Sequence, residues 1–282
     1  MKVGLHLSML CQNWTDDVSE YLQELKDAGL DGVEISLFGT TENLLSRAFS
    51  KAKELNFDVF CGTGVGPDTD PSSSNSEIRN SALKYLKSCV DTAYRGGAHI
   101  INGVLYAPWQ GFSDEDKEVR WNHSASVLRE VADYAKDKKI QLNVEVINRF
   151  ETDFMNTLDE GSKFVELINR DNVKLLVDTF HMNIEEDNIC QAIRKNIQNI
   201  GHVHVCENHR GVPGTGHIPW KEIVQTLKQV GYDGYLEMET FTEAGTEVAK
   251  GMSIWRNISE NAPIYEAKKG CQYLKNIIEE VK

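Results

Sequence analysis

Lys174-Leu-Leu-Val-Asp178, a helical pattern, then His202-Val-His-Val-Cys206: residues 174–206 read as one strand, helix and strand in succession. Short apolar or β-branched runs separated by helical segments are the pattern of βα units and a parallel sheet. Working outward in both directions, the unit recurs. Strands are predicted at Val3–Leu7, Gly32–Ser36, Asp58–Cys61, His99–Val104, Gln141–Val146, Lys174–Asp178, His202–Cys206 and Tyr235–Glu239. Eight such units favour an α/β fold of the closed (β/α)8 TIM barrel type over an open sheet, with residues 1–282 as a single domain.

The intervening segments carry helix signals. Val18, Leu22 and Leu25 share one face, as do Trp220, Ile223, Val224 and Leu227, with Pro219 expected in the first turn. Ala28-Gly-Leu-Asp-Gly-Val-Glu34 and Val230-Gly-Tyr-Asp-Gly-Tyr-Leu-Glu237 read as one αβ turn used twice, through shared turn chemistry and not duplication. Pro67 to Ser76 resembles a linker, but units continue on both sides of it, so it is read as a loop. Following the third strand, it would lie on the catalytic face, as a solvated loop or as a lid.

Composition narrows the function. A formal charge of −13, from 43 acidic against 30 basic residues, repels phosphate backbones and anionic lipid, so neither nucleic acid nor membrane is an expected partner. The six cysteines are scattered without a C-x-x-C pair and read as reduced thiols of a cytoplasmic protein. After Lys2, His6 interrupts the apolar stretch Val3 to Cys11 and no small-residue cleavage site follows, so no signal peptide is expected. Apolar runs are strand-sized, well short of the roughly 18 to 20 residues a spanning helix needs.

In a barrel the C-terminal strand ends converge on one face, where catalytic residues gather. Four consecutive strands end in polar residues: Glu145, Asp178, His204 and Glu239. Strand alternation puts Asn143 with Glu145, His202 with His204 and Glu237 with Glu239 on the inward side. Three inward carboxylates are heavily penalised by desolvation and mutual repulsion, and a cation relieves both. An oxygen-rich set with one imidazole suits Mn²⁺, Co²⁺ or Mg²⁺ better than a thiolate zinc site. The deeper Asn143, His202 and Glu237 are expected to support the ligands or the barrel. Two carboxylates flanking a metal-held sugar invite proton abstraction beside a carbonyl by one and proton return by the other. His181, Arg210 and Glu151 lie in βα loops on the same face, whereas Arg149, His209 and Glu207 default to surface charge.

Several segments carry a resemblance. Val144-Glu-Val-Ile-Asn-Arg-Phe-Glu151, Val177-Asp-Thr-Phe-His-Met-Asn-Ile-Glu-Glu186, Pro213-Gly-Thr-Gly-His-Ile-Pro-Trp220, Met238-Glu-Thr-Phe241 and Ile254-Trp-Arg-Asn-Ile-Ser259 resemble the D-tagatose 3-epimerase and D-psicose 3-epimerase family of xylose-isomerase-like barrels. The likeness runs from Val3-Gly4 and Trp14 through Glu34-Ile-Ser to the last helix. It implies one divalent ion per subunit, Mn²⁺ before Co²⁺ or Mg²⁺, on Glu145, Asp178, His204 and Glu239, with Glu145 and Glu239 as the acid/base pair. It implies that Glu151, His181 and Arg210 hold the oxygens around C1 and C2 of a ketose, with His6, Trp14 and Trp109 also at the substrate. A homodimer or homotetramer is implied as well. His6 stands where an aromatic is more usual, Thr240 where proline is, and His209 where a smaller or amide residue is. With the loop Leu105 to Gln110, these departures are expected around the far end of the sugar and so bear on substrate identity.

The sequence therefore points to a ketose 3-epimerase acting on an unphosphorylated keto-sugar through a metal-stabilised enediolate. Two relatives of that chemistry are alternatives. One is a sugar-phosphate isomerase or epimerase, because Arg210-Gly-Val-Pro-Gly-Thr-Gly-His217 follows strand seven, where barrels often bind phosphate. The other is the metal-bearing subunit of a glycoside-eliminating lyase, which needs a small partner chain. A binding barrel without catalysis is disfavoured by retention of both glutamates, and an endonuclease-like barrel by the acidic charge.

Overall fold

The computed structural model describes residues 1–281. Its strands are β1 Lys2–His6, β2 Gly32–Ser36, β3 Asp58–Gly62, β4 Ile100–Gly103, β5 Gln141–Val146, β6 Val173–Asp178, β7 Ile200–Val205 and β8 Tyr235–Met238. They pair in sequence order and close on themselves, the seam joining β1 to β8 in parallel, with Lys2 opposite Tyr235 and Leu5 opposite Met238. This is the (β/α)8 barrel expected from the eight repeats. Around it lie α1 Leu22–Asp27, α2 Glu42–Glu54, α3 Ser76–Gly96, α4 Lys117–Lys136, α5 Leu158–Ile168, α6 Thr179–Glu185, α7 Ile189–Asn196, α8 Trp220–Gln229, α9 Glu247–Gly251 and α10 Pro263–Glu280. No helix among the described residues is long and apolar enough to cross a membrane.

Local chemistry accounts for the element ends. Thr41, Asn75, Asp116, Thr157, Asn188 and Thr246 each accept a backbone N–H at the start of a helix, satisfying donors that the first turn leaves free. Gly29 and Gly231 follow α1 and α8 at φ +88° and +78°, left-handed conformations that glycine adopts without steric cost, so the repeated turn is structural as read. Six of the eight strands differ from the sequence reading by one or two residues at an end, and two boundary differences bear on the site and its neighbours. Pro219 precedes α8 instead of sitting in its first turn, its carbonyl accepting the Ile223 N–H. Strand β8 ends at Met238, which leaves Glu239 one residue beyond the ladder.

The apolar core lies between the strands and the helices. Trp220, Ile223, Val224 and Leu227 of α8 are buried as their spacing predicts, and so are Leu22 and Leu25, with Val18 half-buried. The barrel interior is different. Glu34, Asn102, Asn143, His202 and Glu237 are all buried there, and such polar groups persist only when hydrogen-bonded or paired.

Residues 67–76 do not form a lid. Pro67–Thr69 is a single 3₁₀ turn, Pro71 and Ser72 are buried, and Asp70 Oδ1 accepts both the Ser72 N–H and its hydroxyl at 2.7 Å. None of this segment borders the central cleft.

Candidate metal centre and cleft

Four consecutive strands bring Glu145, Asp178, His204 and Glu239 to one point. Each offers a ligand atom within 4.8 Å of the others. Asp178 ends β6 and caps α6, its Oδ1 accepting the Phe180 N–H at 2.6 Å, so its carboxylate is held by the helix it starts. Arg210 Nη1 reaches Asp178 Oδ2 at 3.2 Å and Glu239 Oε2 at 3.3 Å. His204 Nδ1 is buried without a hydrogen-bond partner, 3.7 Å from Glu239 Oε2.

The electrostatics fit a cation. Burial and the nearby Glu239 push the Glu145 carboxyl well above its ordinary value. Burial also raises Asp178, to about 7, against the pull of Arg210. Glu239 is held well below its ordinary range: burial opposes this, but His204, Arg210 and His6 outweigh it. Arg210 and the imidazole leave these three carboxyls incompletely compensated, and a bare imidazole nitrogen faces the same space. Three carboxylate oxygens and a nitrogen are the donor set of a borderline to hard divalent ion.

Above this point opens a cleft lined by both polar and aromatic side chains. Glu145, His204 and Glu239 border it, while Asp178 lies beneath. All six residues assigned to substrate by resemblance also border it: His6, Trp14, Trp109, Glu151, His181 and Arg210. Asn148 organises two of them, its Nδ2 lying 2.8 Å from Glu151 Oε1 and 2.7 Å from His181 Nδ1. Trp109 Nε1 donates to the other Glu151 oxygen at 2.9 Å. His181 Nδ1 also receives the Asn148 backbone N–H, so its proton sits on Nε2, 3.6 Å from Glu145 Oε1. Burial, with Arg210 nearby, pushes the ring down to about 4, keeping it a neutral donor toward the cleft.

The loop after β7 departs from expectation. Glu207 is fully buried instead of exposed. Its Oε1 accepts the Gly214 N–H at 2.9 Å and Trp220 Nε1–H at 2.6 Å, and its Oε2 accepts the Ile218 N–H at 3.3 Å. Backbone donors of the loop that the sequence offered to a phosphate are thus taken by a carboxylate of the chain itself. Glu207→Ala orphans the buried Ile218 and Trp220 donors, at about 1–3 kcal/mol each, while the exposed Gly214 N–H can turn to water. The expected result is a fall in unfolding free energy of at least about 2 kcal/mol in urea titrations; a loss near zero would mean the loop does not depend on Glu207.

Arg149 is surface charge as expected, paired with Glu185 at 2.7 Å. Of the departures from the family pattern, only His6 and Trp109 of the 105–110 loop reach the cleft at side chains named above. Thr240 is buried with its hydroxyl directed at Met9 Sδ, and His209 lies outside the cleft. His209 instead borders an adjoining groove together with Glu151, Arg210 and Met252, which also border the cleft. The sequence reading missed Asn148, and it missed Glu34 and Asn102 on the cleft floor. Strand alternation was the available signal for Glu34, between inward-excluded Val33 and Ile35.

Residues 22–276 match the model of the xylose isomerase-like TIM barrel family. The D-psicose 3-epimerase of Ruminiclostridium cellulolyticum is 35% identical over 267 residues, covering 93% of this chain and 91% of that protein. The L-ribulose 3-epimerase of Mesorhizobium japonicum is 31% identical, covering 91% of this chain and 88% of that one. Among solved structures, D-psicose 3-epimerase with D-tagatose from Clostridium cellulolyticum superposes with a TM-score of 0.92 at 33% identity, covering 99% of each chain.

Proposed function

The chain belongs to the xylose isomerase-like TIM barrel family, and from that premise we propose that it is a metal-dependent ketose 3-epimerase, an isomerase interconverting C3 epimers of an unphosphorylated keto-sugar of the D-psicose/D-fructose or D-tagatose kind. The observation that carries this reading is the pair Glu145 and Glu239. They stand on β5 and just past β8, with two strands between them, and border one cleft, so a ketose lying in it meets a carboxylate from each side. Two carboxylates flanking one reacting carbon can serve as base and acid on its two faces.

Glu145, Asp178, His204 and Glu239 would hold the divalent ion, with Mn²⁺ the expected metal. The ion, when bound, supplies Lewis acidity that stabilises negative charge developing on the substrate oxygens. One glutamate takes the C3 proton into a carboxylate oxygen, leaving an enediolate. The other returns a proton to the opposite face, which inverts the carbon. His181 Nε2–H and the Arg210 guanidinium donate to the oxygens near C1 and C2, and Glu151 accepts from a hydroxyl. Trp14 and Trp109 present apolar surface to the open-chain sugar and limit water at the reacting carbon.

An unphosphorylated substrate is favoured by Glu207, whose carboxylate occupies the donors of the loop after β7. The test is incubation with free and phosphorylated ketoses in D₂O. Deuterium at C3 of a free ketose is expected; uptake confined to phosphorylated sugars would overturn the reading.

A pH dependence follows. Glu145 and Asp178 are both raised in the folded chain without the ion, so they retain protons where free carboxyls have lost theirs. Lowering the pH then favours the ion-free form, and the ion must displace protons to bind. The gain in Tm given by Mn²⁺ is expected to grow between about pH 5.5 and about pH 8, steepest near the Asp178 value. A gain independent of pH across that window would count against these ligands.

A further inference from the structure

Below the proposed metal centre a file of polar side chains crosses the barrel interior. Gln141 Nε2 donates to Asn143 Oδ1 at 2.8 Å, Asn143 Nδ2 to Asn102 Oδ1 at 2.8 Å, and Asn102 Nδ2 to Glu34 Oε2 at 2.5 Å. The same Glu34 oxygen lies 3.2 Å from His204 Nε2. Each amide receives through its oxygen and donates onward through its NH₂, so the file has one direction and ends on Glu34. Glu34, Asn102 and Asn143 are buried, and His6 Nε2 approaches the second Glu34 oxygen at 3.4 Å.

Backbone has been cleared to make room for it. A Cβ at Gly62 would fall 2.4 Å from Glu34 Oε1, and one at Gly201 would fall 2.4 Å from Asn143 Oδ1 and 2.6 Å from Gln141 Nε2. Glycine within a strand is unfavourable for the strand itself and marks a close approach. Here what approaches is the file.

We propose that Glu34, oriented by this amide file, is a positioning residue that fixes the tautomer of His204 and so sets the affinity of the centre for its cation. This rests on the reading of His204 as a ligand. An ionised Glu34 only accepts, so the His204 Nε2 that faces it carries the proton. A neutral imidazole then has its lone pair on Nδ1, the nitrogen that is buried, unpartnered and turned toward Glu239. A carboxylate behind a ligating imidazole also raises its basicity. Glu34, His202, His204 and Glu237 bring further potential ligand atoms together, but a second cation is not needed there. His202 Nε2 is committed to Glu237 Oε2 at 2.5 Å and His204 Nε2 to Glu34.

The test compares ion-free wild type with Glu34→Leu and Glu34→Gln, measuring Mn²⁺ affinity by competition with a fluorescent chelator. Histidine-selective ¹⁵N NMR of the same ion-free samples reads the His204 tautomer at a pH alkaline enough to neutralise the ring, which, against burial, Glu34 and Glu239 hold well above its ordinary value. Glu34→Leu removes the acceptor, and a loss of about 10- to 100-fold in affinity is expected, with Nε2 no longer the favoured protonated nitrogen. Glu34→Gln keeps a carbonyl that Asn102 orients toward His204, so it retains the tautomer and loses less. A merely structural Glu34 would lower Tm without moving the tautomer. Wild-type affinity and tautomer in folded Glu34→Leu would overturn the proposal. Should that variant not fold, Gly62→Ala carries the test, because its methyl crowds the Glu34 carboxylate and the His6 ring beside it while every polar group stays, with His6→Ala as the control for the ring: affinity reduced by Gly62→Ala beyond His6→Ala supports the proposal and wild-type affinity overturns it. Failure of wild type to bind Mn²⁺ at all would instead remove the ligand reading and this inference with it.

Discussion

Glu145→Gln and Glu239→Gln are each expected to slow ketose epimerisation by at least about 10²-fold, toward the about 10⁴-fold that general base catalysis can contribute. An amide neither takes nor gives the C3 proton, so either substitution blocks the complete inversion. The other carboxylate still serves its own face. In D₂O each variant is therefore expected to exchange the C3 proton of one epimer without inverting it, and the two variants should favour opposite epimers. Both residues are also proposed ligands, so occupancy must be matched before a lost rate is assigned to lost proton transfer. Near wild-type epimerisation by either occupied variant would leave the two-glutamate mechanism without support.

The second large effect is expected on removing the ion. Exhaustive chelation should abolish epimerisation, and Mn²⁺ or Co²⁺ should restore it. Because binding to the folded state alone stabilises by mass action, saturating Mn²⁺ at about 100 times its Kd adds about 2.7 kcal/mol, read as a rise in Tm. Asp178→Asn separates the two roles of that side chain. Its amide oxygen can still accept the Phe180 N–H that begins α6, so the helix cap survives, while the ligand charge is lost. Weak Mn²⁺ binding in a variant with near wild-type ion-free Tm is the expected outcome; full activity in rigorously metal-free protein would overturn the centre.

What the sequence made legible was what repeats or sits at a fixed offset. Eight apolar runs with helices between them specify a barrel, and the four polar strand ends are visible because consecutive strands terminate alike. Other features depend on contacts between distant segments. Glu34 reads as one carboxylate between Val33 and Ile35. Its partners Asn102 and His204 are 68 and 170 residues away, and nothing local announces them. Glu207 looked like surface charge because its neighbours Asn208 and His209 are polar. Only when the loop folds back do Gly214, Ile218 and Trp220 bring their N–H groups around it. The segment 67–76 has the composition of an open loop, yet Asp70 closes it on itself through Ser72.

The seam between β1 and β8 bears on how the chain folds. It joins the two ends of the sequence, the costliest closure in entropy and the most non-local contact in the barrel. Until it forms, an arc of the central strands leaves Glu34, Glu145 and Glu237 in water, where a carboxylate carries no desolvation cost. Withdrawal of these charges from water is thus concentrated in the closing event, so the polarity of the interior burdens the last step of folding and spares the earlier ones.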